Sequence, residues 1–395
     1  MAADKIIISF DDAEEPEKEK LEIEIKDSIP EPEPKPAVEP IEKISSFPYG
    51  DRGYTLNSKS NLEFPSGIER GFGVEFTADL KQSFLNSILE SGKYIILASV
   101  DGFINLVEKS SGKLYERFFF EGERFEKSGV VLDDRIYVNS IHKIYLIEDD
   151  NSPVVFYKAP EDYFIWSSLN ESGGNIIFTL FSPKENTGKI IEKTPDGNEN
   201  IIYSFNPGNY ISGEILAAES SLYTLFDNKI CVITGNTQTL IENSFAFSYD
   251  VYSVLLNDVL YFNSPSGEIY TLDKNSFSTR FTGIKTSNIN SIAASDDVIF
   301  TGTSTGWSAF HRNGVELYSH IDVDKNTLLG IGKNILAASV NNKIVFHNTA
   351  KFAEAQMFSL SDEIVSARVS ANSVYLLTKT GKLESFKNDM LIIHI

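Results

Sequence analysis

The residues of this 395-residue chain best suited to chemistry are five histidines, one cysteine and a few paired acids. His142, His311, His320, His347 and His394 share no metal-ligand spacing. Histidines drawn from separate strands onto a common axis would be scattered in this way. Strand histidines are also ordinary half-buried residues, and that is the plainer reading. A single cysteine excludes an internal disulfide and any cysteine-built metal site. Within Lys229-Ile230-Cys231-Val232-Ile233 it reads as a buried, inert thiol on an apolar strand. Asp322-Val323-Asp324-Lys325-Asn326 opens like a calcium loop, but Thr327 stands where the sharp turn needs glycine and Lys333 where a bidentate glutamate belongs. Asp133-Asp134, Asn257-Asp258 and Asp296-Asp297 are turn formers before they are acid/base pairs. Gly71-Phe72-Gly73 and Gly330-Ile331-Gly332 do not continue into a phosphate-cradling loop before a helix. The expectation is no catalytic residue, no cofactor and no metal.

Aromatic residues are the stronger candidates. Tyr163, Trp166, Tyr210, Phe247 and Tyr249, with Phe125, Phe164, Phe245 and Tyr252, cluster in the segments that link successive groups of strand-like runs. The later links, around Lys285-Thr286-Ser287-Asn288 and Ser361-Asp362-Glu363, hold none. Grouped on one sector, such rings could anchor a protein partner, because tyrosine, tryptophan and phenylalanine dominate interface hot spots. They could equally point inward as core. Asp162 beside Tyr163 and Asp250 beside Tyr249 argue for water near those two rings.

The elements that must position these residues repeat. Between 85 and 395, a short apolar run, a turn, a second apolar run and a third opened by Gly, Asn or His recur eight times. The third run opens at Gly102, His142, Gly188, Asn228, Gly267, Gly306, Asn342 and Gly381, with gaps of 40, 46, 40, 39, 39, 36 and 39 residues. A period near forty built from short strands predicts an all-β, eight-bladed β-propeller with four strands per blade, a seven-bladed ring being the alternative. The second run is nearly all apolar, as in Tyr94-Ile95-Ile96-Leu97 and Val259-Leu260-Tyr261-Phe262, which predicts a strand covered on both faces. The fourth, as in Lys113-Leu114-Tyr115-Glu116-Arg117-Phe118, is more polar and suits an outer edge. With the last blade running to Ile395, closure is expected from packing of blade eight on blade one rather than from a strand shared between the chain ends.

Two units, Asp101-Gly102-Phe103-Ile104-Asn105-Leu106-Val107-Glu108-Lys109-Ser110-Ser111-Gly112-Lys113-Leu114-Tyr115 and Ser266-Gly267-Glu268-Ile269-Tyr270-Thr271-Leu272-Asp273, resemble the repeat of the pyrroloquinoline-quinone-like propellers, near neighbours of the WD-repeat rings. In that repeat a glycine opens a strand ending near aspartate, and a Gly-Lys turn leads to an aromatic on the outer strand. The resemblance spans about 85–395 and implies a fold that hosts both quinoprotein dehydrogenases and a non-catalytic lipoprotein of outer-membrane assembly. The departures narrow it. Tyr115 stands where the family has an outer-strand tryptophan, and Cys231 cannot form the adjacent cysteine pair typical of the enzymes. The signal peptide and acylated cysteine of the lipoprotein branch have no counterpart. What carries over is the ring and a tendency toward protein–protein work.

Residues 1–43 differ in kind. They hold 14 acids, 6 lysines and 6 of the 14 prolines, and supply −8 of the net charge of −21. Such composition predicts a disordered, acidic arm with a proline-stiffened spacer. Two apolar patches interrupt it, Ile6, Ile7, Ile8 and Phe10, then Leu21, Ile23 and Ile25, the second alternating as a strand-adding recognition motif would. Residues 44–84, punctuated by five glycines, read as an irregular lead-in packing on the propeller. The acidic balance argues against a nucleic-acid partner, and no apolar run reaches the length of a membrane span. The reading of the whole is a cytoplasmic, non-enzymatic scaffold within a multi-protein assembly, its ring binding one protein and its arm another. The alternative is an enzyme or small-ligand receptor with a site at the mouth of the central channel.

Overall fold

The computed structural model describes residues 70–391, apart from the short stretches 149–151, 208–210, 219–220, 236, 248–250, 257–258, 274–275, 296, 322–325, 333, 353–354 and 371–372. The arm motifs, Ile6 to Phe10 and Leu21 to Ile25, therefore lie outside the described residues. The strands form eight antiparallel sheets, the eight blades of the expected propeller. Blade one is Leu89–Glu90, Tyr94–Ala98, Phe103–Glu108 and Leu114–Phe119. Blade two runs from Val130–Leu132 to Val154–Lys158. Blade three pairs Phe164–Ile165 and Asn170–Ser172 with the long strand Asn175–Ser182, followed by Thr187–Lys193 and Glu199–Phe205. Blade four is Ile211–Ala217, Leu222–Phe226, Lys229–Thr234 and Thr237–Glu242. Blades five, six and seven begin at Ser253–Leu256, Ile289–Ser295 and Asn326–Ile331.

Blade eight corrects one expectation. Its inner three strands, Ile364–Val369, Ser373–Thr378 and Lys382–Leu391, come from the end of the chain. Its outer strand is Arg70–Asp79, antiparallel to Lys382–Leu391 in a register from Arg70↔Leu391 to Asp79↔Lys382. The two ends of the ring thus share a blade, and part of the predicted lead-in is a strand of the propeller. Two register shifts, at Gly71/Gly73 and Val74/Phe76, break the alternation that would have marked this strand in the sequence.

The repeating residue that opens the third strand has a common task. Its carbonyl accepts the N–H of the residue just past the outer strand: Phe120 to Gly102, Ala159 to His142, Asn243 to Asn228, Thr286 to Gly267 and Leu360 to Asn342, at 2.8–2.9 Å. In blade eight the donor to Gly381 is Leu80, at 2.9 Å, from the other end of the chain. Gly267 and Gly306 also have φ of +85° and +132°, and a Cβ there would collide with the carbonyls of Thr286 and His320.

Packing is between blades. The described residues form eight buried apolar clusters, and each gathers side chains from two neighbouring blades. Second strands such as Tyr94–Ala98 and Leu222–Phe226 are buried at every position, as their unbroken apolar runs require. Near the inner edge, Ser87, Ser128, Ser168, Ser291 and Ser366 occupy one equivalent place, two residues before the pairs Leu89↔Ile96, Val130↔Tyr137, Asn170↔Ile177, Ala293↔Phe300 and Arg368↔Tyr375. An inner strand pairs on one side only, so its amides need partners elsewhere. Four of these serines supply them across a seam. Ser128 Oγ accepts from Ser87 N–H (3.0 Å), Ser168 Oγ from Ser128 N–H (3.3 Å), Ser291 Oγ from Leu328 N–H (3.0 Å) and Ser366 Oγ from Ile88 N–H (3.3 Å).

Strands alternate direction within a blade, so connections alternate between two ends of the ring. Hairpins between first and second strands and between third and fourth strands share one end. Hairpins between second and third strands, and the links to the next blade, share the other.

Candidate functional site: the seam between blades three and four

The predicted aromatic patch resolves into seam plugs. Tyr163, expected to be exposed, is 6% exposed and packs in the seam of blades two and three. Its hydroxyl donates to Glu185 Oε2 at 2.6 Å, and Lys189 Nζ lies 4.2 Å from the ring centroid. The acid beside it, Asp162, turns instead to Lys184 at 2.8 Å. These contacts tie the link into blade three to its long second hairpin. Trp166 is half-buried against the cluster of blades three and four, edge-on to Phe181 at 5.4 Å. Phe247 is buried between blades four and five beside Phe245 and Phe262. Phe125 does the same between blades one and two. The structure thus brings Tyr163, Trp166 and Phe247 into three different seams, not into one patch. Tyr210 and Tyr249 lie outside the described residues.

The titratable candidates are also packed into seams or turns. His347 is buried between blades six and seven, with its ring centroid 4.9 Å from that of Trp307 and 5.5 Å from that of His320. Burial, reinforced by the His320 imidazole, pushes its pKa down to about 4, so it is neutral at physiological pH. His311 sits in a turn where its Nδ1 accepts the Asn313 N–H, and His142 packs on Phe164 at 5.0 Å. Burial pushes the Cys231 thiol up to about 12, as suits an inert core thiol.

A cavity of about 360 Å³ opens at the other end of the ring, between blades three and four. Ile177, Leu222 and Ile233, all buried, lie beneath a lining that is mostly polar. Its walls are Ser172, Glu192 and the start of blade three's outer strand, Asn200 to Ile202, facing Ser221 and Gly235 of blade four. A register shift between Ile190↔Tyr203 and Ile191↔Ile201 bulges Ile202 out of the outer strand, and its carbonyl accepts Gln238 Nε2 of blade four at 3.0 Å. Ile201 is half exposed at the rim. Asn175 Nδ2 donates to Glu192 Oε1 at 2.9 Å and fixes the carboxylate. No cation among the described residues pairs with it. The cavity can therefore take a donor or a positive charge beside the carboxylate, with Ile201 as the exposed apolar contact at its rim.

Sequence reasoning missed this site. Its residues are individually common and spread from 172 to 235, and it owes its space to small side chains, which leave no motif. The one trace was the 46-residue gap between His142 and Gly188, the longest in the repeat. Within that stretch the structure has a second strand of eight residues, Asn175–Ser182.

Among solved structures, the chain is similar to BamB from Moraxella catarrhalis, at 14% identity over 80% of this chain and 99% of that one, with a TM-score of 0.60. The likeness is one of fold, that of a β-propeller. The chain is also similar to virginiamycin B lyase from Staphylococcus aureus, again at 14% identity and with 80% and 99% coverage, at a TM-score of 0.51. No protein-family model matches the sequence, and no curated protein matches it. Among the described residues of the propeller, no helix is long and apolar enough to cross a membrane.

Proposed function

We propose that the protein is an interaction scaffold, its propeller docking one protein and its N-terminal arm a second. One observation carries the reading. All eight outer strands present a solvent-facing edge with at least one large exposed apolar side chain, Phe119 (60%), Val154 (56%), Ile321 (84%) and Met357 (58%) among them. A free edge invites strand addition by a partner segment, and alternate side chains give such pairing its selectivity. The fold alone does not decide between catalysis and binding, since rings of this kind serve both. The chain's own surface favours binding. An acidic ring suits partners with basic segments, and tethering by the arm would raise the local concentration of the second contact.

The test is affinity capture with the full chain, with residues 1–43 removed, and with Val154→Glu and Val155→Glu on the rim of blade two. The reading predicts that arm removal loses one set of partners and the rim variant another, with the thermal midpoint of the ring unchanged. Identical partners from all three baits would refute it.

A further inference from the structure

The same place in the ring is built twice in opposite ways. At the closure seam, Glu90 of blade one ends the inner strand opposite Ile95, and its Oε1 takes Lys109 Nζ at 2.5 Å and the Ser370 hydroxyl at 2.6 Å. Its Oε2 faces Arg368 Nε at 3.7 Å. Behind this cluster Tyr375 of blade eight fills the seam. Strand register locates the counterparts between blades three and four. Ala217, opposite Leu222, stands where Glu90 does. Gly235 follows the third strand as Lys109 does, Ser172 matches Ser370, and Ile177 matches Tyr375. Glutamate to alanine, lysine to glycine and tyrosine to isoleucine remove the side chains that close the other seam, and two of these smaller residues, Gly235 and Ile177, line the 360 Å³ cavity.

One charge remains in that space. Glu192 occupies the place of Ser385 in blade eight, opposite Ile177, as Ser385 is opposite Tyr375. The lining is mostly polar, the rim carries the exposed Ile201 and the bulged Ile202, and the carboxylate is held by Asn175 with no cation beside it among the described residues. An aliphatic stem would bury against the isoleucines while a terminal cation reached the carboxylate, the division of labour that long basic side chains perform.

We propose that this cleft receives a lysine or arginine side chain of a protein partner, which supplies in trans the cation that Lys109 supplies within the chain at the closure seam. The proposal rests on the scaffold reading for the source of that side chain. It commits to a partner protein, because Ile201 and the bulged outer strand place the cleft at the rim, where a docked segment would pass.

The test titrates isoleucine-methyl-labelled full-length protein with N-acetyl-lysine N-methylamide, its arginine analogue and the norleucine analogue, following Ile177, Ile201, Ile202 and Ile233. The expected result is saturable shifts at these methyls with lysine or arginine, weakening with salt and by about tenfold or more in Glu192→Gln. Norleucine should leave them in place. Ala217→Glu with Gly235→Lys, which transplants the closure pair, should abolish the shifts. Methyls that do not move, equal shifts with norleucine, or an unchanged affinity in Glu192→Gln would overturn the proposal. Partner capture separates the two claims. A partner kept by Glu192→Gln and not released by the lysine probe leaves the scaffold standing without this site. Saturation by the probe with no partner retained by the ring leaves the cleft chemistry standing without the scaffold.

Discussion

The closure seam and the seam of blades three and four share one backbone plan and differ in what fills it. The first is bonded through with side chains. Glu90 gathers Lys109, Arg368 and Ser370, while Glu75 takes the Ser385 hydroxyl at 3.1 Å and Lys387 at 3.5 Å. Next to this seam, inside blade eight, lies the joint between distant parts of the chain, where the outer strand arrives from the N-terminal side and pairs with Lys382–Leu391. No hairpin joins those two strands, and the bonds of Glu75 to Ser385 and Lys387 add to their backbone ladder. Both seams are bridged by the chain between an outer strand and the next inner strand, and the second lacks the charged side chains that fill the first.

The largest effect should come from the closing strand. Phe72 is 3% exposed and lies 4.5 Å from the Phe346 ring in the core of blades seven and eight. Phe72→Ala is expected to cost about 3–5 kcal/mol in urea unfolding. A loss under about 1 kcal/mol would mean that the N-terminal strand does not hold the ring.

A third seam sharpens the contrast through pH. The folded-state pKa of His347, about 4, lies below the ordinary value of 6.5. The folded state therefore disfavours the proton that the unfolded chain accepts. Its contribution is fully present above pH 6.5 and is lost as pH falls through the window down to about 4. The loss amounts to roughly 2–3 kcal/mol. His347→Phe should flatten the stability profile by that amount between pH 6.5 and 4, and an unchanged slope would show that the imidazole is not buried neutral.

The smallest effect belongs to the core of the open seam itself. Cys231, buried beneath the cleft's neighbours with its thiol pushed up to about 12, should resist iodoacetamide at pH 8 until the chain is unfolded. Alkylation of the native chain at the rate of the denatured one would show that this seam opens.

Much of this architecture was legible before any coordinates. The forty-residue period counts the blades because each repeat must place the same carbonyl, at Gly102, His142 or Asn342, against the end of an outer strand. The buried second strands were legible because both faces are covered and their runs are nearly all apolar, Thr224 in Leu222–Phe226 being an exception. Closure was hidden by Gly71, Gly73 and two register shifts, which erase strand periodicity, and by a partner strand some 310 residues away, the separation of Glu75 and Ser385. The aromatics misled because an acid next to a ring is no gauge of the ring's exposure. Asp162 faces Lys184 while Tyr163 turns into the core. The cleft was illegible for a different reason. It is lined by Gly235 and Ile177 where the closure seam has Lys109 and Tyr375, and only the strand register makes those positions comparable.

Paired urea unfolding of Glu90→Gln and Glu192→Gln at neutral pH tests most directly whether one seam is welded and the other left for a ligand. The side chain of Glu90 is 12% exposed and pairs with two cations, so its neutralisation should cost about 1–3 kcal/mol. Glu192 has no cation to lose among the described residues, and its neutralisation should change stability by less than about 0.5 kcal/mol. Equal losses from the two substitutions, or a larger loss from Glu192→Gln, would contradict the account.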